Sequence, residues 1–205
     1  VQSTAASTVI TAAKNAKIPV VFINREPSKT DLDAWTGNTT YVGADARQSG
    51  KFQGEIIADL PNHGDLNGDG KVSYIMLMGD PENVDAKYRT QYSIETLQQT
   101  IPVEKLFEQR GDWDRSKGAE LTATALASYG SKIEVVFANN DDMAIGAAAS
   151  ITSAGRTVGK DIYLVGVDAL AEAQTMVQNG TMTGTVKNDH INQSHKAADV
   201  AIELI

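Results

Sequence analysis

Apolar and polar positions follow two rhythms along this chain. Short, apolar, β-branched runs at 18–23, 39–42, 72–78, 103–107, 133–137, 163–167 and 183–186 read as strands. Between most of them lie stretches of about a dozen residues with helical period: 4–16, 46–60, 85–99, 114–128, 141–154, 169–179 and 192–205. A chain that alternates strand with helix builds a parallel sheet covered on both faces, because each crossover lays a helix over the strands. The expected fold class is therefore α/β, an open doubly wound parallel sheet. In such sheets ligands bind outside the carboxyl ends of the strands.

Those strand ends carry polar residues. Asn24 follows the first strand; Asp85 and Arg89 follow the third; Trp113 follows the fourth. Asn140, Asp168 and Asn188 follow the last three. Asn and Asp are also the preferred helix caps at strand-to-helix turns, so capping competes as an explanation at each position. Arg89 and Trp113 are not capping residues. Amides, carboxylates and a guanidinium offer fixed, often bidentate donors and acceptors, which suit a ligand with many adjacent hydroxyls. A Trp adds a flat apolar surface for the C–H face of a sugar ring.

The segment 65–73 (DLNGDGKVS) is the sharpest local motif. It sets side-chain oxygens of Asp65, Asn67, Asp69 and Ser73, and the Lys71 carbonyl, at the spacing of a calcium loop, with Gly70 at the turn position. The closing Glu of an EF-hand is absent, since Met76 stands there. A closing carboxylate must come from elsewhere in the chain, or no calcium binds; a plain Asx/Gly turn is the alternative.

Composition removes several other classes. The 205 residues are 41% apolar and 21% charged, close to the globular average. A formal charge of −8 argues against a nucleic-acid partner, because phosphate binding draws on cationic surface. There is no cysteine, which removes disulfides and thiolate chemistry. No nucleophile elbow, phosphate loop, HExxH or GxGxxG pattern is present, so an enzyme is not expected.

The strings 19–27 (PVVFINREP), 65–73, 138–141 (ANND), 166–170 (GVDAL) and 184–189 (GTVKND) together resemble bacterial galactose/glucose-binding proteins, the periplasmic-type sugar-binding components of ABC importers. The resemblance implies a type I periplasmic-binding-protein fold and a D-glucose or D-galactose ligand. It assigns sugar contacts to Asn24, Asp85, Arg89, Asn140, Asp168 and Asn188, with Trp113 stacking on the ring. Asn83 stands where familiar members have His. The resemblance also implies a structural Ca2+ held by Asp65, Asn67, Asp69, Lys71, Ser73 and Glu134, with Glu134 as the missing carboxylate and Ser73 in place of a longer Gln.

Implied partners are an ABC permease and a chemoreceptor. The implied location is the periplasm or the outer cell surface, a lipoprotein among the alternatives. The sugar-sensing domain of a LacI-type transcription regulator is the competing reading, although it would not need the 65–73 loop. Against the family, residues 1–40 read as a remnant of the first lobe, 41–188 as the second lobe and 189–205 as a hinge-proximal helix. The chain then looks truncated at both ends, with a first lobe expected to pack abnormally or against another copy, since about 40 residues rarely bury a sufficient core alone.

Overall fold

The computed structural model describes residues 5–204; the expected helix limits at Thr4 and Ile205 lie outside the described residues. The chain divides into two compact units, the first made of Val1–Asp45, Glu82–Asp85 and Asp189–Ile205, the second of Ala46–Pro81 and Ala86–Asn188.

In the first unit, β1 (Val20–Ile23) pairs in parallel with β2 (Thr39–Val42), Val20 opposite Thr39 and Ile23 opposite Val42. Helix α1 (Ala6–Ala16) ends where Lys17 turns left-handed at φ 56° and the Ile18 N–H returns to the Ala13 carbonyl. That closure frees the chain to enter β1. The short α2 (Lys29–Asp33) starts at Ser28, whose hydroxyl accepts from the Asp31 N–H. Helix α8 (His190–Glu203) packs on β1 and β2. It opens two residues earlier than the expected 192, because the Asp189 carboxylate accepts from the Asn192 N–H and fixes the start.

The second unit holds a five-stranded parallel sheet in the order β4-β3-β5-β6-β7. Its strands are β3 (Val72–Met78), β4 (Val103–Arg110), β5 (Val135–Ala138), β6 (Tyr163–Asp168) and β7 (Gly184–Lys187). The helices between them are α4 (Val84–Leu97), α5 (Arg115–Tyr129), α6 (Asp141–Ser153) and α7 (Ala171–Gln178), and α3 (Ala46–Ala58) precedes β3. Alternation along the strands sorts two cores. Tyr74, Met76, Val135 and Phe137 face α3 and α4, where they meet Ile57 and Leu97; Ile75, Leu77, Val136 and Ala138 face α5 and α6, where they meet Leu126, Met143 and Ile151. The doubly wound parallel fold expected from the alternation of elements is thus the one observed.

Strand β4 runs three residues beyond the expected end at Phe107. It lies at the sheet edge, and there Glu108 and Arg110 can stay in water while the backbone still pairs with β3. A bulge at Leu106, where Tyr74 pairs with Lys105 but Ile75 with Phe107, adds twist to that edge. No described helix is long and apolar enough to cross a membrane.

Candidate functional site

The strand order makes the place of a site explicit. From β3 the chain goes outward to β4, then returns past β3 to β5, so the direction of winding reverses between β3 and β5. Loops leaving these two strands diverge to opposite faces and leave a crevice at their carboxyl ends. One buried side chain bridges it: the Asn139 Oδ1, just after β5, accepts from the Gly79 N–H, just after β3, at 3.0 Å. Asn139 also donates to the Thr90 hydroxyl at 3.1 Å, which ties the middle of α4 to the same point.

Arg89 lies against this bridge. Its Nη1 donates to the Asn139 carbonyl at 2.8 Å and stands 3.8 Å from the Asp168 carboxylate, while its guanidinium carbon sits 5.7 Å from the centre of the Trp113 ring. Asp168 in turn accepts from the Asn188 side-chain amide at 3.2 Å. Asn140 donates to the Trp113 carbonyl at 3.2 Å. Arg89, Trp113, Asn140, Asp168 and Asn188 therefore form one connected cluster within the second unit.

Two donors in the cluster are buried and have no hydrogen-bond partner among the described residues: Arg89 Nε and Trp113 Nε1. A buried N–H left unpaired costs on the order of 1–3 kcal/mol, so two of them beside each other call for an acceptor from outside the chain. Room for the indole comes from Gly79, since a Cβ there would lie 2.3 Å from the ring.

The backbone is strained at the same points. Trp113 has φ 67°, Asp168 φ 125° and Ala169 φ 54°. Non-glycine residues adopt such angles at a cost of about 1–3 kcal/mol and do so mostly where surrounding structure fixes them for binding or chemistry.

Capping accounts for two of the candidates in part. Asn140 caps α6, its Oδ1 accepting from the Met143 N–H, and the Asn83 Oδ1 accepts from the Asp85 N–H at the start of α4. Asn83 and Asp85 are buried and belong to the first unit, as does Asn24. Asn24 is exposed just past β1, at φ 66°, where its carbonyl accepts from the Tyr41 hydroxyl. Sequence reasoning did not assign a role to Asn139, although its neighbours were singled out. A second Asn directly after an apolar strand was the available signal.

Away from the strand ends, the 65–73 loop folds on its own side chains. Asp65 accepts from the Gly68 and Gly70 amides, Asn67 from Asp69, and Asp69 from Lys71. Gly68 and Gly70, at φ 76° and 85°, supply the left-handed turns this winding needs. Glu134, 1% exposed, stands against the loop: it accepts from the Leu66, Asn67 and Ser73 amides at 2.7, 3.1 and 2.8 Å. The Lys71 ammonium pairs with Glu104 and lies outside this set. The side-chain donors are all oxygen, which is the chemistry a hard cation requires. Among the described residues, however, no three acidic or histidine side chains converge as a metal cluster, because each loop carboxylate is turned to backbone amides.

The pattern of the family described as periplasmic binding protein domain matches residues 1–205. The chain is 38% identical over 209 residues to the D-galactose/methyl-galactoside binding periplasmic protein of Haemophilus influenzae, covering 100% of this chain and 62% of that protein. It is 27% identical to the ribose import binding protein of Salmonella typhimurium, over 99% of this chain and 62% of the relative. A solute binding protein of an ABC transporter from Bacillus halodurans, solved with bound myo-inositol, superposes with a TM-score of 0.84 at 28% identity, over 99% of this chain and 66% of that one. This chain thus spans about three-fifths of the length of these curated relatives. The doubly wound parallel sheet, its strand-end cluster and the match along the whole sequence lead to one assignment: the chain belongs to the periplasmic binding protein domain family.

Proposed function

We propose that the strand-end cluster of the second unit is one wall of a carbohydrate site, and that the protein delivers a hexose, D-galactose or D-glucose, to the permease of an ABC importer. The observation that carries this reading is the pair of buried, unpartnered donors, Arg89 Nε and Trp113 Nε1, beside the Asp168 carboxylate and the Asn188 amide. Sugar hydroxyls accept from the first pair and can donate to Asp168, so a single ring can satisfy groups that the chain leaves unsatisfied. The indole face covers the C–H side of the same ring. Names of relatives support the ligand class, since they read galactoside, ribose and myo-inositol, all polyhydroxylated rings.

Calcium is part of the reading. Asp65, Asn67, Asp69, Ser73 and Glu134, with the Lys71 carbonyl, would hold it, and the ion would supply charge neutralisation for three carboxylates in one turn. The protein would work in the periplasm or on the outer cell surface, and a chemoreceptor would be a second partner for the sugar-loaded form.

Isothermal titration of the chain with D-galactose, D-glucose and D-ribose, with and without calcium, tests the proposal. Saturable heat with at least one hexose and weaker or no heat with ribose is expected. No heat with any of the three would end the sugar reading.

A further inference from the structure

Asp141 opens α6, directly after the capping Asn140, yet its side chain does not serve its own helix. It is fully buried and crosses to two other elements. Its Oδ2 accepts from the Leu170 N–H at 2.8 Å, in the turn after β6, and its Oδ1 accepts from the Thr185 hydroxyl of β7 at 2.6 Å. Thr185 in turn accepts from the Ala169 N–H at 3.2 Å. Two residues of the 168–170 turn are therefore held from one carboxylate, Leu170 directly and Ala169 through Thr185.

The turn needs holding. Asp168 and Ala169 are the two consecutive residues at φ 125° and 54°, conformations that an L side chain leaves unless its surroundings fix it. The seat for the carboxylate is prepared by β6 itself. A Cβ on Gly166 would lie 2.2 Å from the Asp141 Oδ1 and 3.2 Å from the Ala144 Cβ, so only glycine at 166 lets the acid reach Thr185 and Leu170. Residues from α6, β6, β7 and the turn thus converge on one buried group that makes no described contact with the strand-end donors.

We propose that Asp141, seated in the space left by Gly166 and braced by Thr185, is a positioning residue that locks the 168–170 turn and thereby presents Asp168 to the ligand. The role in binding rests on the sugar reading above; the lock on the turn does not. Burial of the acid raises its pKa to about 6, with the nearby Asp168 charge adding to the effect, against the lowering by its bonds from Thr185, Leu170 and Ala169. The chain tolerates that cost at a site where an apolar residue would fill the space without it.

The test compares Asp141→Ala, Asp141→Asn and Thr185→Val in the full chain, read by amide hydrogen exchange across 165–172 and by titration with D-galactose and D-glucose. The amide of Asn can still accept from Leu170 and donate to Thr185, whereas Ala does neither. Removing one such bond is worth about a tenfold change. Exchange at Ala169 and Leu170 should rise about tenfold or more in Asp141→Ala, and at Ala169 in Thr185→Val, with hexose affinity falling by a similar factor. Asp141→Asn should restore both readouts to within about threefold of the parent chain. Unchanged exchange in both Ala and Val variants overturns the lock, and if Asp141→Ala does not fold, Thr185→Val alone decides it. Loss of affinity in Asp141→Asn with exchange at 169–170 unchanged also overturns it, because the acid would then act by its charge. A parent chain that binds neither hexose sinks the sugar reading, while the exchange arm still decides whether Asp141 holds the turn.

Discussion

The buried acid that holds the 168–170 turn makes a prediction about stability whose sign differs from that of a surface carboxylate. Burial lifts the Asp141 pKa from 3.8 to about 6. The Asp168 charge pushes in the same direction and is itself faced by Arg89 at 3.8 Å; the bonds from Thr185 and the turn amides pull the other way without cancelling burial. Between those two values the folded chain keeps a proton that the unfolded chain has released. Stability from this group is therefore greatest below about pH 4, falls as pH rises through about 4 to 6, and is level above that. The loss is about two pK units at about 1.4 kcal/mol each, or about 3 kcal/mol. Asp141→Asn has the shape of the protonated acid but cannot ionise. Its stability should match that of the parent near pH 4 and exceed it by up to about 3 kcal/mol at pH 7. Urea denaturation of both chains at half-unit steps from about pH 4 to 7 measures the difference, and subtraction removes the titration of the other carboxylates common to both. A difference that stays flat across the window would refute the reasoning, for it would mean that Asp141 is ionised in the folded chain as readily as in the unfolded one.

Three further outcomes follow from the same geometry. Arg89→Lys keeps the charge but loses the guanidinium Nε and the fork, so hexose affinity should fall about 10- to 100-fold by calorimetry, and an unchanged Kd would remove Arg89 from the site. Gly79→Ala sets a methyl group against the Trp113 ring, where the Cβ would lie 2.3 Å away; it should cost about 1–3 kcal/mol and shift tryptophan emission, whereas an unaltered spectrum would show that the indole is not seated on Gly79. Chelation of calcium should lower the Tm of the parent chain, because an ion bound only to the folded state stabilises it by mass action, and Glu134→Gln should blunt that response. Equal melting curves with and without chelator would end the calcium proposal.

Most of the fold was legible because it rests on local pattern. The run at 72–78, apolar but for Ser73, reads as a buried strand, and β3 has those limits. Limits slipped where a neighbour decides them. The charged tail of β4 reads as a strand end unless the strand is known to lie at a sheet edge, and that is a property of the order β4-β3-β5. At five residues α2 gives no period to detect, so the 24–38 stretch showed no element. β5 starts at Val135, two residues later than 133, and Glu134 just before it turns its side chain to the amides of the 65–73 loop, a partner the sequence does not reveal.

At the strand-end cluster, what the sequence reveals is position and what it conceals is support. Arg89, Trp113, Asp168 and Asn188 could be picked out because a wound sheet gathers its carboxyl ends, a rule that needs only strand limits. Asp141, Gly79 and Gly166 could not, because each acts on a partner far along the chain: Asp141 on Leu170 and Thr185, Gly79 on Trp113, Gly166 on Asp141. Strain is concealed in the same way. Of the non-glycine residues with positive φ, Lys17 closes a helix and His63 turns a loop, but Asn24, Asp112, Trp113, Asp168 and Ala169 all lie at or just beyond the carboxyl ends of strands. Asn and Asp tolerate such angles; Trp and Ala do not, and nothing in their identity announces them. Strain of about 1–3 kcal/mol at each persists only when fixed bonds offset it. The bonds that do so run from Asn140 to the Trp113 carbonyl and from Thr185 and Asp141 to Ala169 and Leu170. The supporting residues and the strained ones are thus two halves of one device, in which buried polar groups fix strand-end turns in conformations that their own residues would otherwise leave.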